Sequence, residues 1–259
     1  MFNPRLFFIK LRRSLQKATQ NHILHIKSIQ EIMKRMVVFT GAGMSAESGI
    51  PTFRGSDGLW ENFRIEEVAT PEAWHRDHKL VLEFYNQRRK GIIAAEPNRG
   101  HLQVAKWQEH FDVVVITQNI DDLHERAGSK EIVHLHGEIR KSRSTSDESL
   151  IYPIDGWELK DGDLCERGTQ LRPHIVWFGE EVPMLSTAAE IIEDADIFIV
   201  VGTSLQVYPA AGLIHHAAKA RQKFVVDPEA DNLISKAGWT TINAGAGEGL
   251  QRIDSEILR

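Results

Sequence analysis

Three groups of residues have the types and spacing to do chemistry. Gly41-Ala42-Gly43 follows the apolar run 36–40 directly. Glycines there let the backbone turn sharply and approach a pyrophosphate at a helix N-terminus. The spacing departs from the dinucleotide fingerprint because the third glycine, Gly49, comes late. A plain strand-to-helix turn would use the same residues. Tyr85 and Arg88 lie three apart, so on a helix a phenol and a guanidinium converge on one point. Arginine binds a carboxylate bidentately with charge assistance, and the tyrosine hydroxyl adds a donor. Taken alone, the pair also fits a solvated amphipathic face. His136, one of 12 histidines, precedes Gly137. An imidazole titrating near pH ~6.5 can accept a proton at neutrality.

The elements that must position these groups read as a doubly wound α/β fold, a Rossmann-like parallel sheet with a smaller inserted lobe. Residues 36–40, 111–117, 195–201 and 223–227 are continuous β-branched and apolar runs. They match strands buried on both faces of a parallel sheet. Helical composition at 187–193 and 210–219 separates some of them. Residues 62–99 lack a good strand and hold a helix expected at 79–93. Residues 138–173 are polar, with little periodicity. The core is therefore assigned to 36–61, 100–137 and 174–259, and the small lobe to 62–99 and 138–173.

Longer strings narrow the function. Residues 41–54 read GAGMSAESGIPTFR and continue as GSDGLW to Trp60; residues 117–124 read TQNIDDLH, 134–137 HLHG and 202–205 GTSL. These four strings resemble, in order, the signatures of the sirtuin family of NAD-dependent protein-lysine deacylases. The resemblance spans most of residues 36–250. It implies NAD as a consumed co-substrate and acylated protein lysines as partners. It makes His136 the general base, with Asn119 beside it as a catalytic residue. It places Gly41, Ala42, Gly43, Ser45, Glu47, Phe53, Arg54, Trp60, Gln118, Asn119, Ile120 and Asp121 among the cofactor contacts, with Phe53 and Arg54 closing over the nicotinamide side, Gln118 on the ribose, and Asn119 and Asp121 in the loop around the nicotinamide and its ribose. Gly202, Thr203, Ser204, Asp227 and Ala246 fall on the adenosine side; Glu229 competes with Asp227 for the ribose. Asn119 and Asp121 would hydrogen-bond the carboxamide, although loop capping uses the same residue types. His124 and His134 are read as structural.

Tyr85-Asn86-Gln87-Arg88, with Arg89 after it, resembles the branch that removes succinyl and malonyl groups, and Thr52 is common in that branch. The protein substrate would dock as a strand against Val176, Trp177, Phe178 and Gly179 on one side and Val207 and Tyr208 on the other. Most sirtuins hold a structural zinc with two cysteine pairs. Here Ser144 stands about where the first cysteine belongs, and Cys165 is the single cysteine of the chain. One thiol cannot make a tetrahedral thiolate site, so no metal is expected. Leu150, Tyr152 and Trp157 are the candidates for a small apolar cluster in its place.

The reaction that the resemblance implies releases nicotinamide, transfers the acyl group to ADP-ribose and frees the lysine, with His136 deprotonating a ribose hydroxyl. A mono-ADP-ribosyltransferase, a plain deacetylase that ignores Arg88, and a non-enzymatic NAD sensor are the alternatives. The first would label protein from NAD, and the last would bind NAD without releasing nicotinamide.

Charge and composition bound the rest. The net charge of −5 gives no reason to expect nucleic acid as a partner. Residues 1–35 carry eight of the 31 Lys/Arg and one of the 36 acids, leaving 36–259 at −12. That arm fits a presequence, a surface-seeking helix or an extended reading frame starting ahead of Met33 or Met36. The abrupt start of the folded pattern at Met36 favours the last. Its apolar runs are too short to span a bilayer. A cytoplasmic monomer is expected, or a mitochondrial protein if the arm is a presequence.

Overall fold

The computed structural model describes residues 33–52, 63–234 and 237–258, together with the backbone of residues 59–60. The readings of residues 1–32, of Phe53 and Arg54, and of the Trp60 side chain lie outside them. Six strands form one parallel sheet: β1 (Arg35–Thr40), β4 (Asp112–Thr117), β5 (Glu131–His134), β9 (Ile197–Val201), β10 (Gln222–Asp227) and β11 (Thr240–Asn243). Their order across the sheet is β11-β10-β9-β1-β4-β5. The chain thus winds outward from β1 in one direction, then returns to wind the other way. The reversal falls between β1 and β9, where such sheets open a crevice at the carboxyl ends of their strands.

Alternate side chains of a strand point to opposite faces. Met36 and Val38 accordingly enter one core with Trp107, Leu250 and Ile253, while Val37 and Phe39 enter the other with Leu135, Ile192 and Leu213. Helices α3 (Arg99–Trp107) and α7 (Ala246–Ile257) cover the first face, and α5 (Leu185–Glu193) the second. The expected helix at 210–219 is instead a 3-10 stretch, Ala210–His216.

The second lobe has two parts. Its first part opens on a short hairpin of β2 (Leu59–Trp60) and β3 (Phe63–Arg64), followed by α1 (Ile65–Val68). Helix α2 (Pro71–Ala94) starts on Thr70, whose Oγ accepts from Ala73 N at 3.1 Å, with proline at the first helical position. The helix breaks at Asp77 (φ −154°, ψ 81°), and the Asp77 carboxylate caps the next turn through Leu80 N at 3.0 Å. The segment expected at 79–93 is the part beyond this break.

The polar stretch after His136 is not a loop. It forms an antiparallel sheet of β6 (Gly137–Ser144), β7 (Ile151–Pro153) and β8 (Leu171–Ile175), with β6 in the middle. Ile139 and Ile175 of its strands, with Ile154 and Leu159 from the connections, are buried and pack with Trp74, Phe84 and Tyr85 of α2. Tyr152 and Trp157 stay partly exposed, with Tyr152 bonded to Glu166 and Trp157 under Lys90. The expected Leu150/Tyr152/Trp157 cluster is therefore replaced by deeper residues.

Arg89 joins the two parts of the lobe. It is fully buried, and its guanidinium donates to the Ile139 and Trp157 carbonyls and to Asn86 Oδ1 at 2.6, 2.9 and 2.7 Å. Asn86 in turn exchanges two bonds with the Leu159 backbone at 2.9 and 3.0 Å. Removing the guanidinium would take this donor from the Ile139 and Trp157 carbonyls and leave Asn86 Oδ1 with Leu159 alone. Arg89→Met is expected to cost about 3 kcal/mol in urea unfolding, against less than about 0.5 kcal/mol for the exposed Gln87→Ala.

Candidate functional site

The crevice at the β1/β9 reversal is a cavity of about 590 Å³. Gly41 and Gly43 leave β1 into a 3-10 turn, and Gly202 leaves β9 at φ +60°. The two backbones touch: Gly43 N donates to Gly202 O at 2.8 Å, and a Cβ on Gly43 would lie 2.6 Å from Gly202 Cα. No side chain fits between them, so the strand ends present bare backbone to the cavity. Gln118 Nε2 donates to Thr203 Oγ1 at 3.1 Å, linking the loop after β4 to the loop after β9. Ala42, Ser204, Asp227 and Ala246 also line this end, and Asp227 is buried at the tip of β10. Glu47 does the same, but its carboxylate is engaged by the amide of Gly247 at 3.0 Å, at the start of α7. It therefore braces the turn against the last helix.

At the other end lies a buried polar chain. Asn119 Nδ2 donates to Ser45 Oγ at 3.1 Å, and Ser45 Oγ donates to Asp121 Oδ2 at 2.9 Å. Burial raises the Asp121 pKa against the hydrogen bond from Ser45. His101 packs edge-on against His124 with ring centroids 4.8 Å apart, and its Nε2 is 3.5 Å from Ser45 Oγ. Asn98 caps α3 and also donates to Met44 O at 2.8 Å, tying this helix to the glycine turn. His101 was not singled out from the sequence; only the fold brings it behind Ser45, 56 residues away.

His136 sits between β5 and β6, partly exposed to the cavity. Its Nδ1 is 3.0 Å from Gln118 O, an atom that can only accept. Nδ1 therefore carries the proton, and Nε2 is left as the acceptor. Burial lowers the His136 pKa despite this bond, so the ring is a neutral base at pH 7. The following Gly137 has φ +83°, and a Cβ there would lie 2.1 Å from His174 O, so only glycine fits after the histidine. His134 is paired with Glu125 at 2.7 Å.

Tyr85, Arg88 and Ile92 of α2 line the same cavity beside Ile120. Tyr85 is 1% exposed and Arg88 9%, with the guanidinium 5.6 Å from the Phe84 ring centroid. Val176, Gly179 and Val207, with the exposed Phe178 and Tyr208, form the rim. Val176 N donates to His136 O at 2.9 Å, which fixes the rim to the imidazole backbone. Trp177 departs from its neighbours: it is buried and turns inward to Tyr85. Glu180 lines the cavity with it.

The tip of the small lobe holds Ser144, Ser146, Cys165 and Thr169. Ser144 Oγ lies 3.0 Å from Thr169 Oγ1 and 3.2 Å from Ser146 Oγ; Cys165 Sγ lies 3.3 Å from Ser144 Oγ and 3.1 Å from Thr169 Oγ1. Three hydroxyls and one thiol do not fit a structural zinc, which takes thiolates and imidazoles. Hydrogen bonds join the two turns there, with an Arg167–Asp147 ion pair at 2.8 Å beside them. Among the described residues, no helix is long and apolar enough to cross a membrane.

Residues 41–209 match the Sir2 family. A Bacteroides thetaiotaomicron protein named NAD-dependent protein deacylase is 50% identical over 231 residues, covering 87% of this chain and 99% of its own. A Helicobacter pylori protein of the same name is 47% identical over 228 residues, covering 87% and 98%. A solved Sir2 homologue–NAD complex superposes with a TM-score of 0.78 at 38% identity, covering 87% of this chain and 90% of that one.

The buried histidines make stability depend on pH. Burial holds His101 down to about 4, and burial also lowers His124, His136 and His174. Unfolded, each would titrate near ~6.5. Below that pH the unfolded chain binds protons that these folded sites refuse, so stability falls as pH falls towards 4. His134 and Asp121, both raised, carry the opposite sign; burial lowers His134, but the hydrogen bond and charge of Glu125 outweigh it. With four groups against two, the urea midpoint is expected to drop between pH 7 and pH 5. Each histidine kept neutral contributes about 1.4 kcal/mol per pH unit at the limit. A midpoint that holds or rises would contradict this balance.

Proposed function

Because the chain belongs to the Sir2 family, the sirtuins, we propose that it is an NAD-dependent protein-lysine deacylase that takes succinyl and malonyl groups ahead of acetyl. One observation carries the acyl preference: Tyr85 and Arg88 line the same cavity as His136, and both are buried there. A guanidinium set in a largely apolar wall is a strong and specific site for a carboxylate, because desolvation strengthens a paired charge and penalises an uncharged ligand end.

The cavity fits NAD. Bare backbone at Gly41, Gly43 and Gly202, where a Cβ would collide, suits close approach of a pyrophosphate. Thr203, Ser204 and Ala246 would hold the adenosine side, and Asp227 a ribose hydroxyl. Asn119, Ser45 and Asp121, already hydrogen-bonded to one another, would meet the carboxamide. Phe53, Arg54 and Trp60 keep the cofactor roles that the family resemblance implies. When bound, NAD supplies an electrophilic ribose carbon with nicotinamide as its leaving group. His136 supplies a base whose tautomer is set by Gln118 O, so it can take a ribose hydroxyl proton on Nε2. The rim of Val176, Phe178 and Gly179 opposite Val207 and Tyr208 would take the protein substrate as an extended strand.

The same reading takes residues 36–259 as one catalytic unit, monomeric and cytoplasmic, with 62–99 and 138–173 as its smaller lobe. It also takes that lobe as zinc-independent. A chelator should then leave the thermal midpoint and the deacylation rate where they were, and a loss of either would mean that a metal is held.

The decisive experiment is mass spectrometry of matched succinyl-lysine and acetyl-lysine peptides with and without NAD. Succinyl should be lost faster, and only with NAD. Arg88→Met should lower kcat/KM for the succinyl peptide at least about tenfold, roughly 1.4 kcal/mol, while sparing or raising deacetylation. Equal losses on both peptides would remove Arg88 as the acyl-selecting residue. A faster acetyl reaction in the wild type would keep the deacylase and discard the acidic preference.

A further inference from the structure

Trp177 has more contacts than a rim residue needs. Its backbone N–H donates to Glu180 Oε2 at 2.7 Å. Its ring lies beneath Arg172, with the guanidinium carbon 3.2 Å from the ring centroid, and beside Trp74 at 5.7 Å. Glu180 holds Arg172 through both guanidinium nitrogens, at 2.6 and 3.1 Å, and also accepts from Arg143 at 3.1 Å. Arg172 donates once more, to Ile175 O at 3.0 Å. Burial would raise the Glu180 carboxyl, but the hydrogen bonds and charge of Arg172 hold it below its ordinary value. The indole is thus clamped on one face and at its backbone by groups that stay charged. Its free edge points at the acyl wall: Nε1 donates to Tyr85 Oη at 3.1 Å.

An indole N–H can only donate, whereas a phenol donates one hydrogen and accepts others. Once the Tyr85 oxygen accepts from Trp177, its own hydrogen must point elsewhere, and Tyr85 lines the cavity. Burial pushes the phenol up, against the lowering charges of Arg88 and Arg172, so that hydrogen stays on the oxygen. We propose that Trp177 is a positioning residue for acyl selection: its indole N–H commits the Tyr85 hydroxyl to donating into the cavity, towards an anionic acyl end. The Arg172–Glu180 pair is what holds the indole in that pose. The role rests on the acidic-acyl reading given above and extends it to three residues outside α2.

The test is a double-mutant cycle read as selectivity, the ratio of kcat/KM for succinyl-lysine over acetyl-lysine peptide. Trp177→Phe keeps an aromatic ring under Arg172 and deletes the N–H. It should lower selectivity about fivefold to tenfold, mainly through a higher KM for the succinyl peptide. In a Tyr85→Phe background, which has no hydroxyl to orient, the same substitution should change selectivity less than about twofold. Benzothienylalanine at position 177 replaces only the N–H with sulfur, and it serves if the phenylalanine variant does not fold. Its expected effect is the same. Equal losses on both peptides, or an undiminished loss of selectivity in the Tyr85→Phe background, would overturn the role of Trp177 and leave the acyl reading standing. A wild type without succinyl preference would overturn both.

Discussion

Everything at the site depends on two backbones touching where the sheet reverses its winding. Gly43 and Gly202 approach so closely that either one gaining a methyl group would drive the ends of β1 and β9 apart. That contact sets the floor of the cavity. It also fixes the loop after β4, because Gln118 binds Thr203 across it, and through the Gln118 carbonyl it fixes the tautomer of His136. A base that belongs to the edge of the sheet is thus oriented by atoms that belong to its centre.

The second lobe is held by a different kind of force. Its interior contains guanidinium groups, Arg89, Arg143 and Arg172, each tied to carbonyls or carboxylates by short, directional bonds. Buried charges of this kind are weak stabilisers compared with well-packed apolar residues, but they are intolerant of misregister. They suit a lobe that holds Tyr85 and Arg88 in one cavity with His136. On α2 the division of labour follows helical geometry. Tyr85 and Arg88 look into the cavity, while Asn86 and Arg89, each one position further along, turn to the strands behind.

The central strands were legible because β1, β4, β9 and β10 are buried on both faces and read as unbroken apolar runs. The edge strands β5 and β11 were not, since a half-exposed edge mixes Glu131, His134, Thr240 and Asn243 with its apolar residues. Strand β6 carried no strand signal at all. Its sequence GEIRKSRS is polar, yet Ser142, Arg143 and Ser144 are buried, and two of their partners, Glu180 for Arg143 and Thr169 for Ser144, lie 37 and 25 residues away. At the site, the glycine turn and the His136-Gly137 pair could be picked out locally, and the family motifs gave them roles. His101 behind Ser45 could not, nor could Trp177 against Tyr85, 92 residues apart, because nothing local marks a contact made only by folding.

The hydroxyl and thiol cluster at the tip of the small lobe has a thermodynamic consequence. A metal-stapled module is stabilised by mass action, in proportion to the logarithm of free ion over its dissociation constant. Ser144, Ser146, Cys165 and Thr169 are hydrogen-bonded to one another across two turns, and bonds within a chain have no concentration in their contribution. A hydrogen-bonded knot of this kind forms within the chain, and no change in a ligand's concentration titrates those bonds away. The two kinds of closure trade strength for constancy: a few hydrogen bonds at about 1 kcal/mol each are far weaker than a metal's binding energy, but they are always present.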